Sequence, residues 1–160
     1  MLFFSMLIAC GPSEKNSTEI YLDYCGICHG DNGEGYIAPA ANALFNPEFL
    51  SAATDEFLIE GTRYGRPGTK MSPWGTVMDG PLTESEIEGV VAYIREQETL
   101  PQADIHSKIV DGIPNDAIGL YATECASCHG DIGQGASAMS LNNPEFLRTA
   151  SDGFIWHALE

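Results

Sequence analysis

Two segments of the 160-residue chain repeat one pattern of side chains that can bind a metal or form covalent bonds. The chain reads "YCGICHGDNGEG" from position 24 and "ECASCHGDIGQG" from position 124, so Cys-x-x-Cys-His-Gly-Asp occurs twice with glycines behind it. The cysteines and histidines of the two motifs are Cys25, Cys28, His29, Cys125, Cys128 and His129. Thiols and imidazoles at this spacing indicate redox or metal-centred chemistry.

Three chemistries use a Cys-x-x-Cys pair. A thiol redox couple places a cysteine at a helix N-terminus and leaves no role for the histidine that follows. A structural zinc site needs four ligands, and four thiolates from the two pairs would leave His29 and His129 unused. In covalent haem attachment, two thiols bond the haem vinyl groups and the adjacent histidine binds the iron. This third chemistry uses all three residues of each motif, and we favour it over the zinc and thiol alternatives.

Both motifs belong to a longer internal repeat. The segment "IYLDYCGICHGDNGEG" matches "LYATECASCHGDIGQG" at an offset of 100, and "NPEFLSAATDEFLIEG" matches "NPEFLRTASDGFIWHA" at an offset of 97. The second copy reaches Glu160, the counterpart of Arg63, whereas the first continues through "GRPGTKMSPWG" into a further helix. We expect the second copy to be incomplete, because about 45 residues bury too little core to fold alone.

Helices joined by glycine-rich loops are the elements that must position these motifs. Thr83 with Glu86 three residues later indicates a capping box, followed by a stripe of apolar residues at helical spacing: Ile87, Val90, Val91 and Ile94. A shorter helix is predicted over 17–25, and another begins at a Thr54 N-cap and ends near Gly61 or Gly65. No window alternates as a strand does, so the sequence predicts an all-α fold.

The chain resembles two tandem class I c-type cytochrome domains. The segments that carry the resemblance are "CGICHGDNGEG", "CASCHGDIGQG", "GRPGTKMSPW" and "LTESEIEGVVAYI". It covers residues 17–98 fully and 116–160 in part. The resemblance implies two cytochrome c-like helical haem domains, the second incomplete, each with one covalent haem c. We assign residues 11–100 to the first domain, 101–114 to a linker and 115–160 to the second domain.

The resemblance also implies roles for residues of the first copy. Cys25 and Cys28 would form the thioethers, and His29 would be the proximal iron ligand. Pro39 resembles the proline whose carbonyl orients that histidine. Its other interpretation is an ordinary loop proline.

A methionine on a loop before the last helix is the distal ligand in this family. Met71 fits, since glycines precede it and Pro73 and Trp74 follow it, and a thioether ligand is expected of a cytochrome c. Met78 is the rival, closer to the helix. Packing is the default role of either methionine.

The second copy departs from the family pattern. Cys125 and Cys128 would bind the second haem, and His129 would bind its iron. A counterpart of Met71 would fall beyond Glu160, so the second haem has no assignable sixth ligand. Three further residues are interpreted as packing or surface residues: Met139, which stands at the place of Pro39, and the histidines His106 and His157.

The first ten residues predict export. "MLFFSMLIA" is apolar and resembles the core of a secretory signal, and it is too short to span a bilayer as a helix. Leu7–Gly11 resembles a bacterial lipoprotein cleavage box, which would make Cys10 the lipidated first residue and anchor the protein to the outer face of a membrane. No Lys or Arg precedes the apolar run, and the alternative is an apolar terminus with a free cysteine.

The net charge of the chain limits the kinds of partner that it can bind. The chain has 23 acidic and 7 basic residues, a net charge of −16. Such a chain repels nucleic acid, and it suits a redox partner with a basic docking surface. We expect an electron carrier that is not itself an enzyme. The alternatives are a di-haem peroxidase and a haem subunit of a larger oxidoreductase.

Overall fold

The computed structural model describes residues 15–112 and 114–160. Within these ranges the regular secondary structure is helical, and the one β-type pairing is an isolated bridge between Gly75 and Leu82. The prediction of an all-α fold is confirmed. The predicted signal segment, with Cys10, lies outside the described residues. None of the helices described is both long and apolar enough to cross a bilayer.

Each copy enters its Cys-x-x-Cys-His motif through a turn of π-helix. The helices of the first copy are α1 (Ser17–Ile20), a π-helical segment (Tyr21–Gly26), α2 (Ile27–His29), α3 (Pro47–Ala52), α4 (Asp55–Tyr64), a 3-10 turn (Thr76–Met78) and α5 (Glu84–Arg95). Those of the second copy are α6 (Pro114–Leu120), a π-helical segment (Tyr121–Cys125), α7 (Ala126–His129), α8 (Pro144–Thr149) and α9 (Asp152–His157). Such π-helical insertions occur frequently at functional sites.

The helix ends follow their local capping signals. Thr83 and Glu86 form the predicted capping box at the start of α5, and the four apolar stripe residues of that helix are all buried. The Thr54 side chain accepts a hydrogen bond from the backbone of α4, which ends before Gly65. Helices α3 and α8 were not predicted, although an Asn N-cap followed by Pro at the first helical position begins both.

The first copy has a core built where α1 packs against α5. Tyr21 is fully buried there, with its ring centroid 5.2 Å from that of Phe45 and 5.2 Å from that of Tyr93. This packing holds the π-helical segment against the last helix of the copy, just ahead of the Cys-x-x-Cys-His motif.

The second copy packs against the first through four phenylalanines. Phe49 and Phe57 of α3 and α4 meet Phe146 and Phe154 of α8 and α9, and the closest pair of ring centroids, Phe57 and Phe154, is 4.9 Å apart. Phe146 and Phe154 are the repeat counterparts of Phe49 and Phe57 at the offset of 97. The interface therefore pairs one surface with its own duplicate, and it gives the second copy a core that its own residues do not provide.

Polar contacts surround this phenylalanine interface. Arg148 Nη2 lies 2.5 Å from Glu60 Oε2 and 2.8 Å from Glu145 Oε2. The side-chain amide of Asn143 donates to the Pro67 carbonyl at 2.7 Å. Glu60 is buried and also pairs with an arginine of its own copy, so these contacts neutralise a carboxylate that the interface covers.

The predicted linker is packed over its described residues. Ala103 N–H donates to the Ser51 carbonyl at 2.9 Å, and the Gln102 side chain donates to the Leu50 carbonyl at 2.8 Å. Further along, a Cβ on Gly153 would lie 1.8 Å from the Ile105 carbonyl oxygen, so the linker also touches α9 at a position where only glycine fits. The segment therefore joins the two copies closely.

The phenylalanine interface predicts a strong effect of truncating one ring. Phe146→Ala should lower the free energy of unfolding by about 3 kcal/mol, because Phe146 is 5% exposed and its loss leaves a cavity between the copies. Leu147→Ala is the matched control on the same helix, where Leu147 is 54% exposed, and should cost less than about 1 kcal/mol. Urea unfolding of the full chain, followed by circular dichroism, measures both. Equal losses would mean that the copies do not pack as described.

Candidate functional site

The first Cys-x-x-Cys-His motif ends in a tight reversal of the chain. His29 is buried at the end of α2, and Gly30 adopts φ +86, a conformation that side-chain-bearing residues rarely take. The Tyr21 hydroxyl donates to the Gly30 carbonyl at 2.9 Å. The buried tyrosine thus fixes the residue that follows the histidine.

The His29 ring is held by one nitrogen. Its Nδ1 lies 2.8 Å from the Asn42 carbonyl oxygen, which can only accept, so Nδ1 carries the proton and donates. Nε2 is then the unprotonated nitrogen, the form in which imidazole binds a metal. Burial lowers the pKa of His29, with the hydrogen bond to Asn42 acting in the opposite direction, so the ring is neutral at physiological pH.

The expectation that Pro39 orients His29 is wrong. The carbonyl that accepts from His29 belongs to Asn42, and Pro39 is exposed. Ala40, the residue after Pro39, adopts φ +64. Pro39 is therefore the ordinary loop proline of the alternative interpretation.

The second copy repeats this arrangement with a shorter loop. His129 Nδ1 lies 2.9 Å from the Met139 carbonyl, and the Tyr121 hydroxyl donates to the Gly130 carbonyl at 2.7 Å. The side chain of Met139 packs at the edge of the core, as expected. Its backbone carbonyl has the additional role of orienting the histidine.

The carbonyls of Asn42 and Met139, which accept from the two histidines, show where the first copy has its three extra residues. Ala38 N–H bonds the Cys28 carbonyl and Ala138 N–H bonds the Cys128 carbonyl, so the offset is still 100 at this point. Asn42 and Met139 are related by the offset of 97. The three extra residues of the first copy are therefore 39–41, and Met139 corresponds to Asn42 rather than to Pro39.

The cysteines of both motifs are free thiols in the structure, namely Cys25, Cys28, Cys125 and Cys128. Burial raises the pKa of Cys25 to about 12, with the neighbouring Cys28 adding to the effect. A thiol with a raised pKa is a poor redox nucleophile, which argues against the thiol couple. Within 15–112 and 114–160, no three His, Cys, Asp or Glu side chains gather as they do around a metal.

The loop that carries Met71 is folded back onto α4. Gly65 adopts φ +64, and a Cβ at this position would lie 2.6 Å from the Met71 carbonyl oxygen. Arg66 N–H donates to that carbonyl at 2.9 Å. The Trp74 ring lies 5.3 Å from the ring of Tyr24, which immediately precedes the first cysteine of the motif. The methionine loop and the Cys-x-x-Cys-His turn are therefore neighbours.

The two candidate methionines differ in how far they are exposed to solvent. Met71 is half-buried on this loop, whereas Met78 is 47% exposed at the end of the 3-10 turn. A side chain that binds a buried iron must point into the protein. The structure therefore favours Met71 over Met78, and the assignment of Met71 as distal ligand stays a prediction.

The two remaining histidines make contacts that join the second copy to the first copy or to the linker. His157 Nε2 lies 3.5 Å from Glu48 Oε2 across the phenylalanine interface. His106, which is exposed, has its Nδ1 3.5 Å from the Ser151 hydroxyl. Neither contact belongs to a Cys-x-x-Cys-His turn, in keeping with their interpretation as non-ligands.

These residues fit a covalently bound haem. Each copy provides two unpaired thiols and an imidazole whose Nε2 is available, and the first copy adds a methionine loop beside the motif. Haem c requires this donor set: two thiols for the vinyl groups and one or two axial ligands for the iron.

Two groups of this site were not predicted from the sequence. The tyrosines Tyr21 and Tyr121 stand four residues before the first cysteine of each motif, so their repetition was a readable signal. The carbonyl acceptors Asn42 and Met139 had none, because a backbone carbonyl has no residue signature.

Comparison with known proteins identifies relatives of the same chemistry. The family described as cytochrome C oxidase, cbb3-type, subunit III matches residues 12–94, just over half of the chain. The Cbb3-type cytochrome c oxidase subunit CcoP of Azospirillum sp. (strain B510) is 30% identical over 129 residues, covering 74% of this chain and 40% of that protein. Cytochrome c55X of Stutzerimonas stutzeri is 33% identical over 81 residues, covering 49% of this chain and 68% of that protein.

A solved structure, KustC0563 c-type cytochrome, matches with a TM-score of 0.46 and 25% identity, covering 53% of this chain and all of that one. The chain spans about 40% of the length of the cbb3-type relatives that it matches.

Because Pro39 does not orient His29, we expect its substitution to leave the properties of the haem unchanged. Pro39→Ala should leave the visible spectrum and the midpoint potentials of the haem-loaded protein unchanged, because the carbonyl that orients His29 belongs to Asn42. Potentiometric titration followed by absorbance measures both quantities. A variant with a lowered midpoint or a high-spin spectrum would restore the orienting role of Pro39.

Proposed function

The chain belongs to the family of cytochrome c oxidase, cbb3-type, subunit III, and from this membership we propose that it carries single electrons through covalently bound haem c in a respiratory chain. The observation that supports the proposal most directly is the duplicated motif turn. In both copies the histidine donates its Nδ1–H to a backbone carbonyl and leaves Nε2 for iron.

The first copy holds one haem in this proposal. Cys25 and Cys28 attach it, His29 binds its iron on one side, and Met71 binds on the other. Bound haem supplies reversible one-electron cycling between Fe(III) and Fe(II), and a methionine ligand raises its potential. The hydrogen bonds of Tyr21 and Asn42 hold the motif turn in one geometry.

The second copy holds the other haem, with Cys125 and Cys128 as attachment points and His129 as the iron ligand. The phenylalanine interface keeps its motif on the same packed unit as the first. We therefore propose that an electron enters at one haem, passes to the other and leaves to a partner. The role is that of a carrier, and no bond of a substrate is made or broken.

An oxidase complex is the proposed setting. Curated relatives are named as subunits of cbb3-type cytochrome c oxidases, which favours a haem subunit of a larger oxidoreductase over a free shuttle. The net charge of −16 suits a donor protein with a basic docking surface, whose approach would slow as salt rises. Association with a complex would survive mild extraction, whereas a shuttle would separate.

Export and lipid anchoring complete the proposal. The apolar segment before Cys10 and the small residue Ala9 beside it support cleavage and lipidation at Cys10. A single lipidated terminus tethers a protein to a membrane surface without spanning it. The haem domains would then face the outer side of the cytoplasmic membrane.

The first experiment counts the haems. The full chain, made in cells that export it and attach haem, should gain the mass of two haems, and its reduced spectrum should show sharp bands. Cys125→Ser together with Cys128→Ser should remove one haem of the two. A protein without haem would overturn the proposal. Catalytic turnover of peroxide would favour the peroxidase alternative, whereas carbon monoxide binding alone would not, because the second haem has no assigned sixth ligand.

The distal ligand can be tested by a matched pair of substitutions. Met71→Leu should lower one midpoint potential and convert that haem to a high-spin spectrum, because the thioether ligand is lost. Met78→Leu should change neither, since Met78 is exposed. Absorbance and potentiometric titration measure both variants. The reverse outcome would make Met78 the ligand.

A further inference from the structure

Three large apolar side chains are exposed at the first Cys-x-x-Cys-His turn. Ile27 lies between the two cysteines, and Tyr36 and Ile37 follow the glycines behind the motif. Their exposed fractions are 63%, 66% and 59%. We call these three residues the motif patch. Isolated apolar side chains at a surface need no explanation, whereas neighbouring ones mark interaction sites.

Hydrogen bonds attach the later part of the motif patch to the motif itself. Gly35 N–H donates to the His29 carbonyl at 2.7 Å, and Ala38 N–H donates to the Cys28 carbonyl at 3.1 Å. The two later patch residues lie between these bonds, and the earlier one immediately precedes the second cysteine. The motif patch therefore adjoins the residues that would hold the first haem.

The extra loop residues 39–41 of the first copy position Tyr36. The Ala41 carbonyl accepts from Tyr36 N–H at 2.7 Å, and Ala41 N–H donates to the Ala38 carbonyl at 3.1 Å. Tyr36 adopts φ +61, a left-handed conformation that is unfavourable for a residue with a bulky side chain. Strained backbone of this kind is concentrated at functional sites. The first copy therefore holds an aromatic side chain in solvent at a cost in strain.

The second copy lacks this patch. The counterparts of its three residues, at the offset of 100, are small: Ser127, Ala136 and Ser137. The loop residues 39–41 have no counterpart there either. Among residues 124–138, the one large apolar residue that is exposed is Ile132, at the place of Asn32. The two motifs therefore share their candidate metal-binding residues and differ in the apolar surface beside them.

Carboxylates accompany the motif patch. Asp31 and Glu34 are exposed in the same turn, and the chain has no Lys or Arg from position 16 to position 62. Glu34 Oε2 accepts from the Asn32 backbone N–H at 3.0 Å, and Gln134 makes the equivalent bond at 3.0 Å in the second copy without a charge. A protein interface typically combines an apolar centre with a polar rim, and here the rim is negative.

We propose that the motif patch is the docking site of an electron-donor protein whose surface presents an apolar site ringed by Lys and Arg. The proposal rests on the proposed function and adds which copy the partner meets. One electron leaves the ferrous iron of the partner and reduces the ferric iron of the first haem, with no other bond made or broken. The second haem then receives its electron from the first, because its own motif has no comparable patch.

A second molecule of this chain and a lipid surface are the other candidates to cover an apolar patch. Two molecules of net charge −16 repel each other, and the carboxylates beside the patch oppose approach to anionic lipids. A basic partner meets neither obstacle, and charge attraction speeds its approach. Charge therefore favours the basic protein among the three.

The test measures electron transfer into the haem-loaded full chain by stopped-flow absorbance. The probe is a reduced mono-haem c-type cytochrome with a lysine-rich surface, and ascorbate is the small reductant that needs no docking site. The double variant Tyr36→Ala with Ile37→Ser gives the first motif the residues of the second. It should lower the second-order rate constant with the probe about tenfold. The rate with ascorbate and both midpoint potentials should stay as in the wild type, because both side chains are exposed.

Two further variants exchange residues between the copies. Ile132→Asn gives the second motif the residue of the first, and it should leave the rate with the probe unchanged. Glu34→Gln gives the first motif the residue of the second, which keeps the bond to Asn32 without the charge. It should slow the probe about twofold at low salt and weaken the salt dependence of the rate.

Hydrogen exchange supplies a readout that does not depend on electron transfer. An excess of the oxidised probe should slow amide exchange at residues 35–41 and leave residues 132–138 unchanged. Protection at 132–138 instead of 35–41 would overturn the proposal, because the second motif would then be the docking site.

Three kinetic or association outcomes would also overturn it. The double variant could keep the wild-type rate with the probe, or Ile132→Asn could lower that rate as much as the double variant does. The double variant could also lose its rate with ascorbate, which would make the patch part of the haem site. Finally, the wild type could self-associate through the patch, as shown by a double variant that sediments as a smaller species. Intact mass separates these failures from that of the proposed function, because each is seen in a protein that carries haem.

Discussion

A single type of hydrogen bond governs both candidate sites: a histidine Nδ1–H donating to a backbone carbonyl. An imidazole presents one defined nitrogen to a metal when its other nitrogen is already bound. His29 uses the Asn42 carbonyl and His129 uses the Met139 carbonyl. The π-helical entry and the glycine reversal serve to bring that carbonyl and that ring together.

A tyrosine hydroxyl that binds the residue after the histidine accompanies this bond in both copies. In the first copy, Tyr21 is buried between Phe45 and Tyr93, and its hydroxyl reaches the residue after His29. In the second copy, Tyr121 makes the equivalent hydrogen bond, although it is only half-buried. The hydroxyl contact therefore does not depend on the full aromatic packing seen in the first copy.

The sequence predicted the features that are encoded locally. The capping box of Thr83 and Glu86 and the N-cap at Thr54 determine where two helices begin, because the capping partners lie within three residues of each other. The Cys-x-x-Cys-His spacing predicted candidate site residues in both copies, and the histidines of the two motifs make alike hydrogen bonds to backbone carbonyls. Membership of the cbb3-type subunit III family supports the covalent haem that this spacing implies.

The features that the sequence did not reveal depend on contacts between distant residues. The offsets of 100 and 97 show that the first copy has three more residues than the second, but they do not show where these residues lie. The interpretation of Pro39 failed because the extra residues are 39–41. The rings of Phe57 and Phe154 pack together although the two residues are 97 positions apart, and no local sequence pattern predicts such a contact.

The duplicated phenylalanine surface has a consequence for how molecules of this chain meet. Because each copy carries the same patch, the second copy of one molecule has the shape to pair with the first copy of another. Gln102 and Ala103 bind the linker to α3, and this holds the second copy close to the first copy of the same molecule. A short tether of this kind gives an effective concentration on the order of millimolar. Pairing within one chain therefore prevails over exchange between chains at any ordinary protein concentration, and like charges of −16 on two molecules oppose exchange further.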